Sequence, residues 1–184
     1  SGIPVLVSSD YSLGTTQISI ANSNVKLLGN KTRKPALTSG STTAGIYVYS
    51  SAGTISNIEI AGLKLVGTYA NTGQQVIRYN GVTNSSFHDL DMSDWGSSCM
   101  GNSAGTVFDS NRIYNNNMYH IGFNGIGVQG NYNQIYNNII DTVASVLYPG
   151  HGIYVTGDST GNIVTGNTIS NVTGTNSSAI TAYG

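Results

Sequence analysis

A short apolar strand recurs at regular intervals along this chain, and no other feature of the sequence limits the fold as strongly. The first residues of six copies are 31, 22, 27, 27 and 27 positions apart: Ile46, Ile77, Cys99, Ile126, Ile153 and Ile180. A second apolar position recurs once in each repeat and is occupied by Leu27, Ile60, Phe87, Ile113, Ile135 and Val164. A third lies five residues further on and holds Leu65, Met92, Met118, Ile140 and Ile169. Three columns in step indicate a chain built from stacked repeats.

The repeats have the character of β-strands. Apolar and polar residues alternate within each copy, and glycines such as Gly81, Gly130 and Gly157 close copies of the first strand. No segment shows the sustained 3.6-residue period of a capped helix. Three short strands in every 22 to 33 residues predict one all-β domain over residues 1–184, a parallel β-helix of six or seven rungs. The column that begins at Ile46, with Cys99 in its third rung, should stack in the core.

Asparagines recur at a fixed position in several repeats. Asn116, Asn138 and Asn167 each lie three residues after the second apolar position, where earlier rungs carry Leu63 and Leu90. An asparagine can adopt the left-handed conformation in a tight turn and donate to its counterpart in the next rung. We therefore expect a ladder of amide hydrogen bonds along these asparagines, although asparagine is also a common loop residue.

Composition excludes several functional classes. Charged residues make up 8% of the 184-residue chain, against about 25% in ordinary soluble domains. The net charge of −1 lacks the basic field of a nucleic-acid-binding protein. The sequence has no apolar stretch long enough to span a membrane. Its one cysteine excludes an intramolecular disulfide and a cysteine zinc cluster. A neutral, polar composition favours a secreted or cell-surface protein.

Residues 4–7, 11–13, 17–20 and 24–29 form an opening rung of the predicted coil, and residues 151–155 and 161–171 form later rungs. These rungs resemble those of pectate-lyase-like right-handed parallel β-helix proteins, and the likeness covers nearly the whole chain. The resemblance implies a right-handed coil and a family of secreted proteins that cleave, epimerise or bind polysaccharides, together with phage tail spikes and adhesins. Such repeats encode the geometry of a coil rather than a reaction, so the resemblance is specific for fold.

One outward column of the predicted coil is aromatic. It follows the second apolar position and reads Ala61, His88, Tyr114, Tyr136 and Thr165. Rings on neighbouring rungs could form a platform for the apolar faces of sugars, with Arg112 close enough to neutralise a uronate carboxylate. Tyrosine also has a high β-propensity, and Arg112 could instead pair with Glu59, so a purely structural role is the alternative.

Ionisable residues cluster in one rung. The predicted register places Asp91 beside Lys64 and Asp94 beside His120, and a carboxylate next to a cationic or imidazole group can perform acid–base chemistry. Paired carboxylates could also hold Ca²⁺. The alternative is a set of solvated aspartates in ion pairs. If the chain is an enzyme, we expect a polysaccharide lyase, hydrolase or epimerase, and the few basic residues count against a lyase.

The ends of the repeat pattern suggest a second kind of function. A core-type strand occupies residues 179–184, and another begins at Val5, with no obvious capping segment beside either. Open ends of a β-helix offer unpaired backbone groups to a second copy. The sequence thus predicts an extracellular domain that binds or processes polysaccharide. The alternative is a non-catalytic unit of an adhesin, spike or end-to-end stacked fibre.

Overall fold

The computed structural model describes residues 3–40, 44–51, 53–69, 73–102, 106–144 and 149–182. These residues form a parallel β-solenoid of 24 strands without any helix that could cross a membrane. Each turn contributes one strand to each of three seven-stranded sheets. A fourth sheet has three short strands, β7 (Ile55–Ser56), β11 (Val82–Thr83) and β15 (Phe108–Asp109).

The three long sheets are made as follows. Sheet 1 contains β1 (Ile3–Leu6), β4 (Val25–Leu28), β8 (Glu59–Ala61), β12 (Ser86–His88), β16 (Arg112–Tyr114), β19 (Gln134–Tyr136) and β22 (Ile163–Thr165). Sheet 2 contains β2 (Tyr11–Gly14), β5 (Ala36–Ser39), β9 (Lys64–Val66), β13 (Asp91–Trp95), β17 (Asn117–Ile121), β20 (Ile139–Ala144) and β23 (Thr168–Thr173). Sheet 3 contains β3 (Ile18–Ile20), β6 (Ala44–Tyr49), β10 (Gln75–Asn80), β14 (Met100–Asn102), β18 (Ile126–Val128), β21 (His151–Val155) and β24 (Ser178–Ala182).

The predicted register of the core columns is confirmed with one correction. Leu65, Met92, Met118, Ile140 and Ile169 are successive partners in sheet 2. In sheet 3, Met100 pairs with Ile77 and Ile126, so the prediction that Cys99 belongs to this column is wrong by one residue. The reason is the length of the turn. Partners in sheets 1 and 2 are 26 residues apart between this turn and the next, as in Phe87 with Ile113, and Met100 is the residue 26 positions before Ile126 in sheet 3. Cys99 is buried beside the column.

Burial of the Ile46 column is also confirmed, except at its last member. Ile46, Ile77, Ile126 and Ile153 are fully buried, whereas Ile180 in the last described turn is 51% exposed. Residues 183 and 184, which the repeat pattern assigns to the same strand, lie outside the described residues.

The asparagine ladder forms, but the asparagines in it do not have the left-handed backbone conformation that was expected. Asn116 Nδ2 donates to Asn138 Oδ1, and Asn138 Nδ2 donates to Asn167 Oδ1, each at 2.9 Å. The left-handed conformation belongs to the preceding residue of each turn, with φ of 56° at Asn115 and 55° at Asn137. The residue in the left-handed region bends the chain, and the next residue turns its amide into the coil.

A second amide ladder runs parallel to the first and was not predicted. It lies five residues earlier, at the corner that precedes sheet 1. Asn111 Nδ2 donates to Asn133 Oδ1 at 3.3 Å, and Asn133 Nδ2 donates to Asn162 Oδ1 at 3.0 Å. The recurring spacing Asn-x-x-x-x-Asn in these three turns is the sequence signal that could have revealed it. The ladders satisfy buried backbone groups at both corners of sheet 1.

Candidate functional site

The aromatic column on sheet 1 forms a stack of rings. His88, Tyr114 and Tyr136 are partners in the register, with centroids 4.5 Å and 4.9 Å apart and interplanar angles of 10° and 1°. Parallel rings at this separation cover one another's faces, so Tyr114 presents only its edge and hydroxyl to solvent. Tyr136 keeps one face towards the small, exposed Thr165. The stack therefore offers a sugar one ring face rather than the continuous platform that the sequence suggested.

His88 lies in the predicted column, but only 5% of it is exposed. Its Nδ1 is 2.8 Å from Asp89 Oδ2, and its Nε2 is 3.3 Å from Glu59 Oε1. Lys31 and Lys26 pair with these two carboxylates. Glu59 thus pairs with Lys26 and His88, and the alternative pairing with Arg112 is not formed among the described residues. The exposed Arg112 remains a candidate ligand-contacting residue.

The ion pairs around His88 make the stability of the coil sensitive to acid. The hydrogen bond from Lys26 lowers the pKa of Glu59 below its ordinary 4.5, although partial burial opposes this change. A carboxylate with a lowered folded-state pKa contributes its stability above the unfolded value and loses it as the pH falls through the folded value. We expect the free energy of unfolding, measured by urea denaturation, to decrease below about pH 4.5. Glu59→Gln should flatten this part of the profile, and an unchanged slope would contradict the assignment.

The predicted acid–base cluster lies on sheet 2 and forms in part. His120 Nδ1 is 2.8 Å from Asp94 Oδ1, and the ring of Tyr69 stacks on His120 at 3.9 Å. The hydrogen bond with His120 lowers the pKa of Asp94, against the effect of burial, so that the carboxylate is ionised at neutral pH. An ionised Asp94 that accepts from Nδ1–H leaves His120 Nε2 as the basic nitrogen. The Asp94–His120 pair can therefore accept a proton from a ligand.

Asp91 is separate from that pair in its contacts. It is the register partner of Lys64, as predicted, but its carboxylate Oδ1 accepts from Lys34 Nζ at 2.6 Å and from Asn117 Nδ2 at 2.8 Å. Lys64 acts on Asp94 only through its charge. Since both aspartates are engaged by other side chains, they do not form the oxygen cage that Ca²⁺ requires. Across the described ranges, no three acidic, histidine or cysteine side chains converge as metal ligands would.

A groove on the outer face of sheet 3 was missed by the sequence analysis. It encloses about 240 Å³. Gly101 and Gly127 form its floor, where the same outward column carries Tyr47 and Arg78 in earlier turns and Tyr154 in the next. Neither glycine places a side chain in the outward column. The Gln75 amide lies over Gly101, with Nε2 2.8 Å from the position of a Cβ, so the open part of the hollow lies over Gly127. Adjacent outward glycines between tyrosines are the sequence signal that could have found it, once the register was corrected.

Polar and aromatic side chains wall this sheet-3 groove. Corner residues between sheets 2 and 3 form one side: Ser97, Ser98, Phe123 and Asn124. Residues at the strand ends form the other: Asn102, Val128, Gln129 and Thr156. Gln75 and Tyr154 complete the lining. None of these side chains carries a charge.

Tyr154 is held in place from one side. Its ring stacks on His151, with centroids 5.0 Å apart and planes 9° from parallel. His151 is itself buried, and its Nδ1 is 2.9 Å from Ser178 Oγ. Burial lowers the pKa of His151, which favours the neutral ring. The ring of Tyr154 is thereby fixed as a wall of the groove before any ligand arrives.

The Asp94–His120 pair is close to the groove along the chain. Asp94 precedes the groove residue Ser97 by three positions, and His120 precedes Phe123 by three. Three residues span at most about 10 Å of extended chain. The pair therefore lies at the corner of the coil on the side of the groove formed by Ser97 and Phe123.

Comparison with known proteins agrees with the observed architecture. A family model described as "Right handed beta helix region" matches residues 13–184. No curated protein and no solved structure matches the chain. The matched segment includes every strand from β3 to β24, which is all of sheet 3 and six of the seven strands of sheets 1 and 2. This chain belongs to the right-handed β-helix family.

Proposed function

We propose that this chain is an extracellular domain that binds polysaccharide, and that the sheet-3 groove holds part of the glycan. The observation that carries the proposal is the lining of the groove, which combines aromatic walls with uncharged hydrogen-bonding groups around a backbone floor. Apolar faces of a sugar pack on aromatic rings, and its hydroxyls need both donors and acceptors. The amide of Gln75 and the hydroxyls of Ser97 and Thr156 offer both.

The shape of the groove suits a chain ligand better than a compact one. Its floor spans two successive turns, and Tyr154 rises from the third. Turns of the coil are about 4.8 Å apart, so the floor has the length of one to two sugar units. A longer glycan would extend beyond the groove, either over neighbouring turns or past the strand ends at Gln129.

Processing of the glycan would require the chemistry of the neighbouring acid–base pair. His120 Nε2 could accept a proton from a glycan that passes over Ser97 and Phe123, with Asp94 stabilising the imidazolium that results. Asp91 and Lys64 would then act through charge, since neither contacts His120 in the described structure. Binding is the part of the function for which the groove provides a complete set of groups.

Filling the floor of the groove tests the proposal. A Cβ on Gly127 would lie 3.6 Å from Met100 O and 4.0 Å from Asn124 Nδ2 and Gly101 Cα, which are ordinary van der Waals distances, so the fold accepts a side chain there. In Gly127→Val the two methyl groups project into the groove. After a glycan array identifies a ligand, calorimetry should show at least about tenfold weaker binding by Gly127→Val, the loss expected when a well-fitted contact of about 1.4 kcal/mol is removed.

Ser19→Val is the matched control for this variant. Ser19 is exposed in the same outward column of sheet 3, opposite Tyr47 and outside the groove. It should bind the glycan like the parent protein, and both variants should keep the parent's thermal transition. If Tyr136→Ala loses binding while Gly127→Val does not, the glycan binds to the aromatic stack on sheet 1 instead.

The structural alternative makes a different prediction in the same experiment. A unit of a fibre or spike needs no glycan, and the array should then give no ligand. Val5 and Ile180 belong to inward-facing columns of the first and last described turns and are about half exposed, and end-to-end stacking would cover both side chains. Absence of glycan binding together with concentration-dependent assembly in sedimentation would replace the binding proposal with this one.

A further inference from the structure

We infer that the ligand of the sheet-3 groove is an uncharged glycan, and that the groove rejects polyuronates. This inference rests on the proposed function and specifies its substrate class. The reasons are the positions of the basic side chains, the acidic residues next to the groove and the absence of a charge-compensating group in its lining.

The basic residues of the chain are few, and four of the seven are engaged by carboxylates or by an aromatic ring. Of seven Lys and Arg residues, Lys26, Lys31 and Lys34 form ion pairs with carboxylates, and these carboxylates lie on sheets 1 and 2 or at the corner between them. Arg78 is the register partner of the floor residue Gly101, but its guanidinium lies 5.3 Å above the ring of Tyr47 in the preceding turn, away from the floor. No lysine or arginine lines the groove.

A second hollow adjoins the groove at Gln129 and is acidic. It encloses about 270 Å³, shares Gln129 with the groove, and is lined by Asp109 and Asp158 among polar and small residues. Asp109 Oδ1 accepts from the backbone N–H of Asn131 at 2.7 Å, which fixes the carboxylate in the wall. A glycan that runs from the groove into this hollow would bring each uronate carboxylate towards like charges, which repel it.

The lining of the groove favours hydroxyl groups over carboxylates for the same physical reason. A carboxylate that leaves water needs a cation or several donors in compensation, and otherwise loses more hydration than it regains. Sugar hydroxyls are neutral and are satisfied one by one by amides and hydroxyls such as those of Gln75, Ser97 and Thr156. An oxidised sugar therefore binds less tightly than the neutral sugar of the same shape.

A matched pair of ligands tests this inference. The array is to contain neutral gluco-, manno-, galacto- and xylo-oligosaccharides together with oligogalacturonate and oligomannuronate. The best neutral hexose ligand is then oxidised at C6 to the corresponding uronate, and calorimetry compares the two on the same backbone. We expect the neutral form to bind at least tenfold more tightly, with an affinity that does not change between low and high salt.

Introducing a cation should reverse the preference. Ser97 lies on the side wall of the groove and is partly exposed, so Ser97→Lys supplies an ammonium group without replacing a core residue. This variant should gain at least tenfold in affinity for the oxidised ligand, and added salt should reduce the gain.

The outcomes separate the inference from the proposed function. If the parent protein binds the uronate as tightly as the neutral form and Gly127→Val abolishes that binding, the groove is a glycan site but the inference on charge is wrong. If neither class of oligosaccharide binds, both the inference and the proposed function are wrong.

Discussion

Replacing Asn138 by Leu should lower the free energy of unfolding by about 4 kcal/mol, because several buried polar groups lose their partners together. Asn138 is fully buried. Its Oδ1 accepts from both the backbone N–H and Nδ2 of Asn116, and its Nδ2 donates to Ile113 O and Asn167 Oδ1. Urea denaturation of the parent and variant proteins measures the loss.

The preceding residue supplies the control. Asn137 is exposed and has φ of 55°, and Gly166 occupies the equivalent place in the next turn. Asn137→Gly should therefore change the stability by no more than about 1 kcal/mol, since glycine adopts this conformation freely. Equal losses at positions 137 and 138 would mean that the buried ladder contributes no more than the exposed turn.

Leu63 and Leu90 show why the cost depends on the neighbours. Both occupy the ladder position in earlier turns and are fully buried. Leu90 donates its backbone N–H to Asn116 Oδ1. The ladder therefore ends at Leu90, and the last amide oxygen of the ladder is paired. A leucine at position 138 would interrupt the ladder instead, with asparagines on both sides. The same side chain is thus tolerated at the end of the ladder and costly within it.

The core columns could be predicted from the sequence because each turn repeats the same spacing. Ile60, Phe87 and Ile113 are partners as expected, and so are Met92 and Met118. The error at Cys99 arose because Cys99 and Met100 are adjacent and both apolar, so hydropathy alone does not distinguish them. The 26-residue spacing of partners in sheets 1 and 2 identifies Met100 as the member of the column.

The site residues depended on features that a one-dimensional pattern does not contain. The pairing of Asp94 with His120 followed from the register, but the partner of Asp91 is Lys34, 57 residues away and in a loop whose length differs from turn to turn. The groove exists because Gly101 and Gly127 place no side chain in the outward column of sheet 3, and a missing side chain does not stand out in a sequence motif. The surroundings of His88 likewise include two carboxylates whose lysine partners come from an earlier turn.

Trp95→Ala should be the other strongly destabilising substitution, with a loss of about 4 kcal/mol. Trp95 is 1% exposed, and its Nε1 donates to Leu65 O at 3.2 Å. Gly45 and Gly67 lie against its ring, and a Cβ on either glycine would overlap ring atoms. The indole therefore fills space that two other turns leave open, and alanine would leave a cavity that the surrounding strands close only in part.

A double-mutant cycle between Trp95 and Gly67 tests that packing. In the parent protein, Gly67→Ala should destabilise the fold because the new methyl group collides with the indole, which cannot move within a close-packed core. In the Trp95→Ala background the collision is absent and the methyl group fills part of the cavity, so the same substitution should be neutral or stabilising. The coupling energy should be about 2 kcal/mol, within the range for residues in direct contact. If Gly67→Ala lowers the stability equally in the parent and in Trp95→Ala, then glycine is required at position 67 for its backbone conformation and not because of the contact with Trp95.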